Sequence, residues 1–218
     1  MRPIIFDMDG VLIDSQPLHY QLDMNVLQAL GIPATLEDVT PCTGLSNQIR
    51  WPQYKERFGL APSVEALMDM ANGEMRVVFN QNKLEAIQGI PAFLAGLKAR
   101  GYYCGVASAS QRELVELVLA RTGIAQYFDG ITSVEAVVNS KPAPDIYLAA
   151  AKKANTQPGQ CIAIEDSPAG ILSAKNAGFT CIAYRNPSTA GQVFTHADYV
   201  LDHFDLGLGM VAEIDSLK

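Results

Sequence analysis

Short apolar runs alternate with helical stretches along the second part of the chain, and this alternation constrains the fold most strongly. Apolar runs typical of buried strands lie between four predicted helices, at residues 91–100, 111–122, 144–154 and 168–177. Strands that alternate with helices of this length form parallel sheets whose two faces are both covered. The pattern therefore predicts an α/β fold with a Rossmann-like parallel sheet core and helices on both faces.

A further apolar run, residues 2–6, opens the chain and is followed at once by Asp7, Asp9 and Gly10. In open α/β sheets, ligands bind at the carboxyl ends of the strands. Two clustered carboxylates repel each other unless a cation or a shared proton lies between them. Mg²⁺ suits such a site, because it takes oxygen ligands and commonly binds one or two carboxylates together with a phosphate. The alternative is a strand that ends in an ordinary acidic turn.

The stretch between the first strand and the alternating part has a different pattern. Residues 15–85 contain helical signals only, and in residues 18–30 the apolar positions fall on one helical stripe. We therefore predict two domains. An α/β catalytic core is formed by residues 1–14 and 86–218, and an all-helical cap domain, inserted after the first strand, is formed by residues 15–85.

Polar or charged side chains lie at three further points where the core strands are predicted to end. They are Ser108, Lys141 and the pair Glu165 and Asp166. This inventory suits a phosphoryl group held beside Mg²⁺, because hydroxyls and helix N-termini donate to its oxygens and a lysine offsets its charge. One carboxylate can attack phosphorus to form an aspartyl-phosphate, and a second can transfer protons. Taken singly, each residue has an ordinary alternative as a helix cap, a solvated lysine or an acidic helix start.

Charge and cysteine usage exclude several classes of partner. The formal net charge of −7 argues against a nucleic-acid or membrane-surface partner, which would call for a basic patch. The four cysteines are scattered without a CxxC pair, which is typical of buried thiols in a reducing compartment. The acidic motif begins at residue 7 and leaves no room for a signal sequence. We expect a cytoplasmic, monomeric protein that acts on a small phosphorylated metabolite.

These motifs resemble those of the haloacid dehalogenase-like hydrolases, and the resemblance covers nearly the whole chain. The segment Asp7-Met8-Asp9-Gly10-Val11 is similar to the first motif of that family, Ser108 to its second, Lys141 to its third and Glu165-Asp166 to its fourth. The sequences around the last three motifs resemble the β-phosphoglucomutase and sugar-phosphate phosphatase branch. The motifs are specific for the family and much less so for a substrate.

The resemblance implies a role for each motif. Asp7 would be the nucleophile and Asp9 the general acid/base. The dehalogenase members carry a tyrosine in place of Asp9, so this aspartate argues for phosphoryl chemistry. The transferring phosphoryl group would be bound by Ser108, Ala109 and Lys141. The implied Mg²⁺ site comprises Asp7, Asp9, Asp166 and Glu165. Glu165 would either bind the ion or contact a residue that binds it.

In the inserted helices, the resemblance implies substrate contacts from His19, Gly44, Ser46 and Asn47. Mutases carry an arginine directly after the serine of this loop, where this chain has Asn47, and a lysine in a later cap helix, where residues 63–81 contain none. Arg50 lies one turn from Ser46 and could point inward, although a solvated arginine is the commoner case. No role is assigned to Trp51, His196 or His203.

These observations predict a Mg²⁺-dependent phosphatase that hydrolyses a small phosphorylated metabolite, with a sugar phosphate as the expected substrate, through an aspartyl-phosphate. The alternative is a β-phosphoglucomutase, which uses the same core but must hold two phosphates. A third possibility, a sugar-phosphate-binding regulator without catalysis, is disfavoured because all four core motifs are intact.

Overall fold

Six short strands form a fully parallel sheet in a computed structural model that describes residues 1–43, 45, 47–189 and 192–216. They are β1 (Ile4–Phe6), β2 (Cys104–Ala107), β3 (Gly130–Thr132), β4 (Ile162–Glu165), β5 (Thr180–Tyr184) and β6 (Tyr199–Leu201). Their order in the sheet is β3-β2-β1-β4-β5-β6. The order reverses at β1, and in doubly wound folds the ligand crevice lies outside the strand ends at this point.

The chain divides into two units, Met1–Asp14 with Leu84–Lys218 and Ser15–Lys83. The described residues of the second unit form helices and no strand. These are α1 (Gln16–Ala29), α2 (Leu36–Val39), α3 (Asn47–Phe58) and α4 (Val64–Gln81), with a 3₁₀ turn at Thr40–Cys42. Pro17 occupies the first turn of α1, and the Ser63 hydroxyl caps α4 by accepting a hydrogen bond from the Ala66 N–H at 3.2 Å.

The first unit carries five helices among its described residues. They are α5 (Ile90–Ala99), α6 (Arg112–Arg121), α7 (Asp145–Lys153), α8 (Pro168–Asn176) and α9 (Gly207–Ser216). Successive residues of β1 serve opposite faces of the sheet: Ile5 packs in a cluster with Tyr147 of α7 and Ile171 of α8. Phe6 meets Phe93 of α5 with ring centroids 6.0 Å apart. Helices therefore cover both faces, and the predicted fold class is confirmed.

The two ends of the first unit that flank the insertion are paired with each other. An antiparallel bridge joins Ile13 to Ala86, and the Ile87 N–H donates to the Leu12 carbonyl at 2.9 Å. The chain thus leaves the sheet unit and returns to it at one point.

All four cysteines are buried as free thiols, as their apolar surroundings predict. No helix within the described part of the chain is long and apolar enough to cross a membrane.

Candidate active site

Three buried carboxylates meet where the sheet order reverses. The pairing of β1 with β4 puts Phe6 beside Ile164, and the Asp7 N–H donates to the Ile164 carbonyl at 2.9 Å. Asp7 therefore stands beside Glu165 and Asp166, and an oxygen of each lies within 4.8 Å of the others. Glu165 is fully buried, while Asp7 and Asp166 keep only 7% and 9% of their surface exposed. Like charges packed this closely and this far from water require compensation.

Lys141 supplies part of that compensation. Its ammonium group donates to Asp7 Oδ1 at 2.8 Å, to Glu165 Oε1 at 2.5 Å and to the carbonyl of Ala107, the last residue of β2, at 3.2 Å. The Tyr147 hydroxyl donates to the same Glu165 Oε1 at 2.7 Å. One lysine thus joins the ends of β1, β2 and β4 through charge-assisted hydrogen bonds.

The balance of charge at the site is visible in the pKa values. Burial raises the pKa of Asp7 to about 7, the charge of Glu165 adds to this effect, and Lys141 opposes it. Burial, with the charges of Asp7 and Glu165, also holds the pKa of Asp166 well above its usual range. Burial by itself lowers the pKa of Lys141, but the two facing carboxylates outweigh it and the net shift is upward. A single ammonium leaves the site with an excess of negative charge, which a cation or protons would offset.

Asp9 and the segment after β2 lie together at the same sheet edge. The Ser110 hydroxyl donates to Asp9 Oδ2 at 3.2 Å, and the Ser110 N–H donates to Ser108 Oγ at 3.0 Å. Ser108 is fully buried and Ala109 is exposed. A serine hydroxyl that accepts one hydrogen bond can still donate one, so Ser108 retains the donor that phosphate binding requires.

The loop after β1 lies directly against Asp166. Gly10 has φ +80°, a conformation that side chains with a Cβ rarely adopt, and a Cβ built there would lie 2.1 Å from Asp166 Oδ2. Gly170 serves Glu165 in the same way, since its Cβ would lie 2.1 Å from each oxygen of that carboxylate. Glycine at these two positions lets the carboxylates approach the backbone.

Sequence reasoning missed three residues that contact this cluster, namely Tyr147, Asn186 and Gln192. Asn186 Nδ2 donates to the Gly10 carbonyl at 3.1 Å, and Gln192 Nε2 donates to the Asp166 carbonyl at 3.0 Å. Asn186 follows the end of β5, so the rule that located Ser108 and Asp166 could have found it. Tyr147 lies within the apolar face of α7, where nothing in the sequence distinguishes it from a packing residue.

The structure thus brings together the predicted core residues Asp7, Asp9, Ser108, Ala109, Lys141, Glu165 and Asp166 at one sheet edge. The predicted residues of the inserted helices belong to the second unit. There, His19 is half-buried, with its ring 6.0 Å from that of Phe79, and Asn47 begins α3. Gly44 and Ser46 lie outside the described residues.

Arg50 is not solvated, although solvation was the commoner of the two cases that the sequence allows. Only 5% of Arg50 is exposed, and its Nε lies 3.3 Å from Asp23 Oδ2 on α1. Arg50 Nη2 also donates to Asn47 Oδ1 at 2.5 Å, and the Tyr54 hydroxyl donates to Asp23 Oδ2 at 2.9 Å. Burial raises the pKa of Asp23, against the opposing effects of Arg50 and Tyr54. Arg50 is buried because a carboxylate from another helix neutralises it.

The structure shows the surroundings of Trp51, His196 and His203, to which the sequence assigns no role. Trp51 is fully buried and packs edge-on against Tyr54, with ring centroids 5.3 Å apart. His196 and His203 are exposed.

Comparison with known proteins gives a consistent result. The model of the haloacid dehalogenase-like hydrolases matches residues 4–184. The chain is 31% identical to the phosphorylated carbohydrates phosphatase of Thermotoga maritima over 82% of both proteins. It is 28% identical to the β-phosphoglucomutase of Bacillus subtilis over 92% of this chain and 89% of that protein.

Among solved structures, CbbY from Rhodobacter sphaeroides in complex with phosphate superposes with a TM-score of 0.82. The two sequences are 27% identical, and the match covers 95% of this chain and 97% of CbbY. Motifs, sheet order and family model agree, and the chain belongs to the haloacid dehalogenase-like hydrolases, in the branch of the β-phosphoglucomutases and sugar-phosphate phosphatases.

Proposed function

We propose that this protein is a Mg²⁺-dependent phosphatase that hydrolyses a small phosphorylated metabolite, a sugar phosphate, through an aspartyl-phosphate on Asp7. The observation that carries the proposal is the buried cluster in which Lys141 binds Asp7 while Asp7, Glu165 and Asp166 lie within 4.8 Å of one another. The similarity to a phosphorylated carbohydrates phosphatase supports the substrate class. The four buried free thiols support a cytoplasmic location, and a monomeric state remains a prediction from the sequence.

The residues at the sheet edge fit a magnesium ion. The ligand atoms brought together here are carboxylate oxygens, which Mg²⁺ prefers, and the excess of negative charge favours a divalent cation. Asp7, Asp166 and the backbone carbonyl of Asp9 would hold the ion. When bound, the ion offsets the charge of the phosphate oxygens, so that an anionic nucleophile can approach.

Glu165 has a different position in this arrangement. Its Oε1 accepts from both Lys141 and Tyr147, and its Oε2 lies 3.4 Å from the Ser167 hydroxyl. These contacts favour a role in orienting Lys141 over direct ligation of the ion.

The proposed reaction has two steps. In the first, a carboxylate oxygen of Asp7 attacks phosphorus, the bond to the leaving oxygen breaks, and protonated Asp9 gives its proton to that oxygen. In the second, Asp9 takes a proton from water, which attacks phosphorus and releases Asp7 and inorganic phosphate. Ser108 donates to a phosphoryl oxygen, the charge of Lys141 offsets those of the phosphoryl group and Asp7 together, and the bond from Ser110 holds Asp9 in place.

The helical unit favours a phosphatase over a mutase. A mutase must bind a second phosphate, which requires cations or several donors. The residue after Ser46 is the neutral Asn47, and the charge of nearby Arg50 is already paired with Asp23. We propose substrate contacts from His19, Gly44, Ser46 and Asn47 that recognise hydroxyl groups.

A phosphate-release screen tests the function. The purified protein, with Mg²⁺, is incubated with phosphorylated sugars, polyols and non-carbohydrate metabolites, and free phosphate is measured. We expect turnover of sugar phosphates that disappears with chelator. Net isomerisation of β-glucose 1-phosphate without phosphate release, in the presence of a trace of the bisphosphate, would contradict a phosphatase and identify a mutase. Tight binding without any turnover would identify a regulator.

The raised carboxyl pKa values predict how stability depends on pH in the absence of metal. Because the pKa of Asp7 is about 7 in the folded protein and ordinary when unfolded, the folded state takes up protons first as the pH falls. With chelator present, the melting temperature is therefore expected to rise between about pH 8 and about pH 5. Saturating Mg²⁺, or the substitution Asp166→Asn, is expected to flatten this rise. A melting temperature that falls steadily over the same range would contradict the charge balance described above.

A further inference from the structure

Gln192 lies in the segment that follows β5, and its side chain contacts Asp166. Its Nε2 donates to the backbone carbonyl of Asp166 at 3.0 Å and makes a longer contact of 3.4 Å with the carboxylate oxygen Oδ2. Both partners are acceptors. The opposite orientation of the amide would place its oxygen against two oxygens, so the contacts fix which end of the carboxamide faces Asp166.

Two groups approach the Asp166 carboxylate oxygen Oδ2. Gly10 lies so close that a Cβ there would be 2.1 Å from this oxygen. Gln192 donates to the main-chain carbonyl of Asp166 and, at the longer distance of 3.4 Å, to the same Oδ2. Asn186, from the same segment as Gln192, donates to the Gly10 carbonyl at 3.1 Å. Asn186 and Gln192, both beyond the end of β5, therefore support the loop that carries Asp9 and Gly10 and the carboxylate at the end of β4.

The other end of the Gln192 carboxamide is buried without a hydrogen-bond partner in the part of the chain that the structure describes. A buried acceptor of this kind is unfavourable until a donor reaches it. Mg²⁺ commonly keeps several of its water molecules, and these are donors of the required type. The Gln192 side chain thus has an N–H group that donates to Asp166 and an oxygen that can accept from a water molecule.

We propose that Gln192 is a positioning residue that orients Asp166 for cation binding. The inference rests on the proposed function, because it requires a cation at Asp166. Groups that hydrogen-bond to a metal-binding side chain fix its orientation, and their loss commonly weakens metal affinity by about 10- to 100-fold. Gln192 does not itself bind the cation in this proposal. It affects cation binding by fixing the orientation of Asp166.

The test measures Mg²⁺ binding without substrate, from the rise in melting temperature as MgCl₂ is added. We expect Gln192→Met, which keeps the size of the side chain but removes donor and acceptor, to weaken Mg²⁺ binding by about 10- to 100-fold. Gln192→Ala is expected to do the same. At saturating Mg²⁺ both variants should recover most of their turnover.

The matched control is Gln126→Met, since Gln126 donates to the Gly123 carbonyl at 2.9 Å on an exposed surface away from the carboxylates. This variant should bind Mg²⁺ like the wild type. A merely structural role for Gln192 would lower the melting temperature equally with and without Mg²⁺, and that result would overturn the inference. If MgCl₂ does not raise the melting temperature of the wild type, the protein does not bind the cation that the proposed function requires. That result would contradict the proposed function and is distinct from a result that contradicts the role of Gln192.

Discussion

Replacement of Asp7 by asparagine is expected to lower the turnover of phosphate monoesters by about 10⁴- to 10⁶-fold, a loss typical for a catalytic nucleophile. An amide oxygen of the same size cannot attack phosphorus as a carboxylate does. The variant should still fold, because one of several crowded negative charges is removed from the buried site. The measurement is release of inorganic phosphate from a substrate found in the screen, at saturating Mg²⁺.

Two further variants show whether the loss belongs to the nucleophile. Asp9→Asn is expected to cost about 10²- to 10⁴-fold, since it removes a proton donor, and to cost less with p-nitrophenyl phosphate, whose leaving group departs without a proton. Asp69→Asn, at an exposed position of α4, should leave turnover unchanged. Full activity of the Asp7 variant would remove that residue as the nucleophile.

The substitution Arg50→Met is expected to lower the free energy of unfolding of the helical unit by about 3–5 kcal/mol, because it leaves Asp23 buried and without its counter-charge. The measurement is urea unfolding followed by tryptophan fluorescence. The chain has 1 tryptophan, Trp51, which is buried in this unit next to Tyr54 and so reports on its unfolding.

The controls separate a buried ion pair from an ordinary surface pair. Arg112→Met removes the exposed pair with Glu116 on α6, and such pairs contribute about 0–1 kcal/mol. The double variant Asp23→Asn with Arg50→Met should regain most of the stability, because neither buried charge remains and the amide oxygen can still accept from the Tyr54 hydroxyl. If Arg50→Met costs no more than Arg112→Met, the ion pair is not a significant source of stability.

Local sequence patterns predicted the sheet and its catalytic edge for a definite physical reason. In a parallel sheet every strand ends on the same side, so a polar residue directly after an apolar run has a known location. Asp7, Ser108 and Asp166 were found in this way. Gln192 lies eight residues beyond the end of β5, too far for the same argument to place it.

Other features depended on contacts between distant segments. The burial of Arg50 requires Asp23 on another helix, and no spacing within α3 indicates that carboxylate. Helix α9 was not predicted, because Gly207 and Gly209 weaken both the helical propensity and the apolar pattern of its first turn. Which of His19, Gly44, Ser46 and Asn47 touch a substrate remains a prediction.

The pairing of Ile13 with Ala86 has a consequence for how such a chain can diversify. Its hydrogen bonds close the insertion at its base, so the strands on either side keep their register whatever length of polypeptide lies between. Even for a flexible chain, each doubling of the length between two fixed ends adds only about 0.6 kcal/mol of closure entropy. Helices of the insertion can therefore be replaced, lengthened or lost during evolution without a change in the residues at the carboxyl ends of the strands.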